Sequence, residues 1–199
     1  MKFINHFFTI SSQIHSALDF NQLEKMVHLL AQIREQKGRL FILGNGGSAG
    51  HAGHATNDFR KLCGIETYAP TDNVSELTAR INDEGWENCF SDWLKASNMN
   101  SRDGILIFSV GGGNKEKNIS SNIVKAIDLA KEHESKILGI VGKDGGYTAT
   151  SANACVVIPM IDSSLVTPMT EGYAALLWHM LVSHPLLQIK KGKWESVSR

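Results

Sequence analysis

Apolar residues first recur at helical spacing. Phe3, Phe7, Ile10, Ile14 and Leu18 share one face of a 3.6-residue repeat, and Leu23, Met26, Val27, Leu30 and Ile33 share another. The pattern predicts two amphipathic helices, with Asn21 as N-cap of the second and Gly38 as its stop. After Gly38 the pattern changes. Residues 39–43 form a short apolar run, followed by Gly44-Asn45-Gly46-Gly47-Ser48 and a helical segment. Residues 104–110 form a continuous apolar run before a glycine-rich loop and a helix over 122–133. Residues 136–141 precede Gly142-Lys143-Asp144-Gly145-Gly146, residues 154–159 precede a loop and a helix over about 167–183, and 65–69 is a weaker strand. Strands apolar on both faces, alternating with helices, predict an α/β fold with a parallel sheet covered on both sides. In such sheets ligands bind beyond the C-terminal strand ends, where the glycine-rich loops lie.

Nothing in the chain marks an internal boundary: there is no repeat, low-complexity tract or linker. The expectation is one domain over residues 1–199, with 1–37 as a helical arm for packing on a partner subunit. Lys+Arg and Asp+Glu are 20 each, so no bulk charge draws the chain to nucleic acid or an anionic membrane. The one local basic cluster, Lys190, Lys191 and Lys193, reads as a solvated tail. Cys63, Cys89 and Cys155 lack metal-ligand spacing, and an odd, sparse set argues against a disulfide framework and for a reducing compartment. With no apolar run long enough to span a bilayer and no signal-like N-terminus, the expected location is the cytoplasm.

The candidate chemistry begins at the first glycine loop. Gly46, Gly47 and Ser48 lie between an apolar strand and a helix start, where close-approaching backbone, unpaired N–H groups and a hydroxyl suit an anion. Neither GxxxxGK[ST] nor GxGxxG is present, so nucleoside triphosphatase and dinucleotide chemistry lack support. On the helix that follows, His54 and Asp58 are i, i+4, about 40° apart around the axis, with His51 three residues earlier. Glu171 and His179 are eight residues apart on the last long helix, within roughly 80°. Two histidines and two carboxylates can hold a divalent metal such as zinc; taken singly, each is an ordinary surface or capping group.

GNGGS followed by a His-bearing helix resembles the sugar isomerase (SIS) domain, and more narrowly the phosphoheptose isomerases. The similarity runs from Gly38 to about His184 and includes TDNVSEL at 71–77, NDEGWEN at 82–88 and GKDGG at 142–146. The resemblance implies a three-layer, flavodoxin-like fold with a five-stranded parallel sheet between helices, plus a two-helix arm. It further implies a homotetramer with sites at subunit interfaces. In that family a His and a Glu on the first helix and a Gln and a His on the last surround the substrate carbonyl; they match His54, Asp58, Glu171 and His179. Asp58 and His179 then take the acid/base roles, and the four residues together the zinc shell. Asp58 is one methylene shorter than the family's Glu, and Glu171 adds a charge where the family has an amide. By the same resemblance Asn45, Gly46, Gly47 and Ser48 bind phosphate.

The family's second phosphate loop is serine-rich, close to STSGNS. Here Ser109 remains, Val110 and glycines follow, and the loop runs longer, through Lys115 and Lys117 to Ser120 and Ser121. Ser109, Gly111 and Gly112 are still expected at the anion, with a lysine adding charge and the two serines capping the next helix. Asp72, Asn73, Asn82 and Asp83 lie in family-like loops that can contact sugar hydroxyls, Asp83 foremost; turn formation explains them equally well. Asp144 suits a turn, and Trp86, Trp93 and Trp178 are expected as core or interface anchors, with Trp194 a tail or subunit contact.

Two functions follow. One is an aldose–ketose isomerase converting sedoheptulose 7-phosphate to D-glycero-D-manno-heptose 7-phosphate, or acting on a related phosphosugar. The other is a non-enzymatic adaptor, since relatives of these isomerases bind a bacterial replication initiator. A pure adaptor has no need of both Asp58 and His179.

Overall fold

The computed structural model describes residues 1–192. Lys193 and Trp194 lie outside the described residues. The five strands are β1 (Arg39–Gly44), β2 (Glu66–Tyr68), β3 (Gly104–Ser109), β4 (Lys136–Val141) and β5 (Ala154–Val157). They form one parallel sheet in the order β2-β1-β3-β4-β5. The sequence pattern had to give this: every residue of β3 is buried, and its alternate side chains enter different cores. Leu106 and Phe108 pack on one face of the sheet, Ile105 and Ile107 on the other.

The first face is covered by α1 (Lys2–Ser16), α2 (Phe20–Glu35), α3 (Gly47–Cys63) and α8 (Val166–Ser183). The second is covered mainly by α5 (Cys89–Ala96) and α6 (Ser121–Glu132), with α4 (Val74–Glu84) and α7 (Gly146–Ser151) at its margin. The expected three-layer sandwich is present. Its N-terminal arm is only half committed: Ile10 and Ile14 of α1 are buried, whereas Phe3, Ile4 and Phe8 face outward, each more than half exposed. Asp19, not Asn21, caps α2, because its carboxylate accepts from the Asn21 and Gln22 N–H groups.

The pattern showed no helices in 74–96, yet α4 and α5 lie there. The start of α4 has a legible signal: Asn73 at the N-cap accepts from the Glu76 N–H. Its apolar content is too thin for periodicity, since none of its residues is fully buried.

At the N-terminal end of the sheet Asp103 holds β1 and β3 together. It is 1% exposed and accepts from the Arg39 N–H (2.8 Å), the Arg39 guanidinium (2.7 and 3.2 Å) and the Asn100 backbone and amide N–H groups (3.0 and 3.1 Å). Breaking a buried pair of this kind by removing one partner costs about 3–5 kcal/mol. Cys63 and Cys89 are buried and Cys155 is half-buried, and none forms a disulfide. Burial pushes the Cys63 thiol up to about 11 and Cys155 to about 12, as suits packing residues rather than nucleophiles. Among the described residues no helix is long and apolar enough to cross a membrane.

Candidate active site

The topological switch point of this sheet lies between β1 and β3, and both of their C-terminal loops are glycine-rich. At the first loop, Gly46 precedes the 17-residue helix α3 without a side-chain acceptor, and the Ser48, Ala49 and Gly50 N–H groups turn back on the Asn45 and Gly46 carbonyls, which leaves the helix dipole's positive end and the Gly47 N–H toward the loop. Ser48 is buried in this turn. Gly47 has a neighbour the sequence did not reveal. A Cβ there would lie 2.5 Å from Glu171 Oε1, so the Glu171 carboxylate rests against the helix start. Asn45 also has a structural partner. Its amide exchanges two hydrogen bonds with Asn122 (3.1 and 2.9 Å), tying the loop to the start of α6 across the switch point.

The second loop has a different job from the one expected. The Gly112 N–H donates to Ser109 Oγ (3.0 Å). The Gly112 and Gly113 carbonyls accept from the Thr148 and Tyr147 N–H groups, and the Thr148 hydroxyl also donates to Gly112 (2.7 Å). The Gly112 and Gly113 carbonyls therefore clamp the loop to α7, Ser109 steadies Gly112 while keeping its hydroxyl hydrogen, and half-buried Gly111 lies close to Gly146. Lys115 does not add charge to the loop: it pairs with Asp128 at 2.8 Å, and Tyr147 donates to the same carboxylate. Ser120 stands at the N-cap of α6 without a side-chain hydrogen bond, so the expected serine cap is absent; Asn122 Oδ1 takes the Ile123 N–H instead. Asp144 makes the expected turn, accepting from the Gly146 N–H.

Beyond the first loop, α3 and α8 bring His54, Asp58 and His179 together. Asp58 Oδ2 stands 3.8 Å from His54 Nε2 and 3.8 Å from His179 Nδ1. Those gaps are too long for direct hydrogen bonds, but a single hydroxyl can bridge them. Asp58 is largely sheltered and also accepts from the Asn57 amide, whereas both imidazoles are about half exposed. The floor is Trp178, 1% exposed, with the His54 and His179 rings packed on its indole. Partial desolvation on that floor holds the His179 pKa below its ordinary value. Asp58 opposes the shift, and His54 and His51 reinforce it.

Glu171 is not part of this group. It sits two helical turns before His179, about 12 Å along α8, with its carboxylate turned to Gly47. The expected four-ligand zinc shell is therefore not assembled as the side chains stand. Among the described residues no three His, Cys, Asp or Glu groups converge to hold a metal. Asp83 also stands apart, exposed near the end of α4 and accepting from the Asn82 amide. Of the tryptophans, Trp178 is core, Trp93 is half-buried and Trp86 is 45% exposed.

Residues 2–142 match the SIS domain family. The chain belongs to that family. It is 32% identical over 164 residues to a phosphoheptose isomerase of Helicobacter pylori, spanning 80% of each chain. A phosphoheptose isomerase of Aneurinibacillus thermoaerophilus is 28% identical over 204 residues, 94% of this chain and 98% of that one. Among solved structures, the phosphoheptose isomerase of Neisseria gonorrhoeae shares the fold with a TM-score of 0.78 at 22% identity, over 92% of this chain and 97% of that one. SIS membership accounts for the glycine loop at the switch point and for the long helices flanking it.

Proposed function

We propose that this SIS protein is an aldose–ketose isomerase acting on sedoheptulose 7-phosphate to form D-glycero-D-manno-heptose 7-phosphate. The observation that carries the reading is one carboxylate, Asp58, held between two imidazoles on an indole floor, beside an anion-ready helix start. The phosphoheptose isomerases among its relatives support the same reaction class. The spacing suits the chain length. Ser48 and His54 are six residues apart on α3, about 9 Å at 1.5 Å per residue. Six C–C bonds of about 1.5 Å, laid out as an extended zigzag, reach about 8 Å.

The reaction moves a proton between adjacent carbons through an enediol. Asp58 takes the proton from C1 of the ketose and returns it to C2. His179, held neutral by its surroundings, passes a proton between the C2 and C1 oxygens as the carbonyl changes place. With Glu171 turned away from Gly47, the start of α3 and Ser48 hold the phosphate at the far end. Electrons and protons balance within the substrate, so no redox partner is needed. A zinc ion at His54, Asp58, Glu171 and His179 would polarise the carbonyl. It joins the proposal only with Glu171 turned away from Gly47, and none of the steps above runs through it.

The outward apolar face of α1 supports assembly with further copies, a homotetramer in this reading, and the free thiols fit a reducing cytoplasm. The adaptor alternative has no observation in its favour. The deciding experiment incubates purified protein with sedoheptulose 7-phosphate, with and without zinc, and follows aldose formation by NMR. No conversion under either condition refutes the proposal.

A further inference from the structure

Helix α3 has a second polar face. His51, His54 and Asp58 lie on one side; Gly53, Thr56 and Arg60 are turned well over 90° away, toward β2 and the 3-10 turn Pro70–Asp72. A cavity of ≈ 470 Å³ opens there, within the roughly 300–1,000 Å³ range of small-molecule sites. Its walls include Thr56, Arg60, Tyr68, Asp72, Asn73 and Trp93.

Several of these groups have polar capacity that the fold leaves unused. Thr56 is 8% exposed, and its hydroxyl has no hydrogen-bond partner among the described residues, although a helical threonine ordinarily bonds a carbonyl in the preceding turn. The Asp72 carboxylate lies against α3 at Gly53, where a Cβ would come within 2.7 Å of Oδ1, and it too has no side-chain partner among the described residues. The Asn73 carbonyl caps α4, which leaves its amide N–H groups. One Arg60 nitrogen donates to the Thr67 carbonyl, and the guanidinium lies over the Tyr68 ring, leaving its other N–H groups. Glu76, by contrast, is satisfied: Arg80 takes one oxygen at 2.8 Å and the Trp93 indole N–H the other at 3.0 Å.

The remaining charges, Arg60 and Asp72, cancel. The remaining groups include both donors and acceptors, and two aromatic side chains form part of the wall. A carboxylate beside hydroxyl, amide and guanidinium groups suits vicinal hydroxyls, each of which both donates and accepts. Aromatic walls suit the apolar C–H faces of a sugar ring. A phosphate gains nothing here, because its charge would face Asp72.

We propose that this cavity is a second ligand site that binds a neutral, unphosphorylated sugar unit through Thr56, Asp72 and Asn73. It stands apart from the histidine cluster and does not depend on the isomerase reading.

The test is saturation-transfer NMR with D-glucose, D-mannose and unphosphorylated sedoheptulose, against D-glucosamine as a cationic control. At least one neutral sugar should receive saturation at millimolar concentration. Asp72→Asn and Thr56→Val should each weaken that binding about tenfold, while His54→Ala leaves it unchanged. Thr56→Val removes a buried, unpaired hydroxyl, so its thermal stability should hold or rise, which separates lost binding from lost fold. Turnover of phosphosugar should be unchanged in Thr56→Val. The proposal is overturned by any of three results: no transfer to any neutral sugar, binding indifferent to Asp72→Asn and Thr56→Val, or stronger binding of D-glucosamine than of D-glucose.

Discussion

Replacing Gly112 with alanine tests whether the second glycine loop is a structural clamp. Gly112 has φ +67°, and a Cβ there would lie 1.9 Å from the Gly145 carbonyl oxygen. That neighbour is backbone, so the loop itself must shift by an ångström or more. The positive φ alone costs an L residue about 1 kcal/mol. The shift also strains three hydrogen bonds to the loop carbonyls: Thr148 N–H at 2.9 Å, Thr148 hydroxyl at 2.7 Å and Tyr147 N–H at 2.8 Å. At about 1 kcal/mol each, losing two or three brings the total to roughly 3–4 kcal/mol. In a chain of this length that corresponds to a fall in Tm of roughly 6–16 °C. The control is Gly50→Ala within α3, where the added Cβ meets nothing within 4 Å and the helix should gain about 0.4–1 kcal/mol. Urea unfolding of both variants, followed by circular dichroism, gives the numbers. A Gly112→Ala protein within 1 kcal/mol of wild type would refute the clamp.

Asp58→Ala and His179→Ala should each lower kcat about 10²–10⁴-fold, the usual worth of a positioned acid or base, with circular dichroism and Tm preserved; near-normal turnover in either removes that residue from the mechanism. Ser48→Ala should weaken phosphosugar binding by about 1–2 kcal/mol, roughly tenfold, by calorimetry; equal affinity of wild type for the sugar and its phosphate would contradict anion recognition by the loop. His179 titrates below its ordinary value, so its neutral form should persist as pH falls past the usual imidazole range. The acid limb of kcat/KM should accordingly lie below about pH 6.5. The same sign applies to stability, since the unfolded state binds the proton more readily: His179 contributes above the unfolded pKa and loses that contribution as pH falls through the window below it. An acid limb above 6.5 that disappears in His179→Ala would reverse the sign.

The sheet was legible because its strands are buried on both faces and cannot be anything but apolar; all five expected strands are present. Helices α4 and α5 were not, because α4 lies on the rim and buries no residue fully, leaving periodicity nothing to register. In the site, the His54–Asp58 spacing on one helix predicted their proximity directly, and the family pattern supplied His179. Spacing could not show how the side chains are used. Asn45 and Ser109 looked like ligand groups, and spacing could not show that each also holds the fold, Asn45 through Asn122 and Ser109 through the Gly112 N–H. Glu171 shares a helix with His179, but its carboxylate lies against Gly47, far away in sequence; only the folded pairing of α3 and α8 makes the two neighbours.

Asp103 and the glycine loops occupy opposite ends of the same sheet. Asp103 gathers the starts of β1 and β3, whereas the glycine loops and α3 leave from where β1 and β3 finish. Damage to the protein is thus sorted by geography. Changes around Asp103, Arg39 and Asn100 should reduce how much folded protein a cell accumulates while each surviving molecule works at full rate. Changes around Asp58 and His179 should leave the amount alone and silence each molecule. A large variant library scored separately for abundance and for turnover would separate the surroundings of Asp103 from those of Asp58 and His179, and a lineage drifting toward a new sugar could rework the second set without endangering the first.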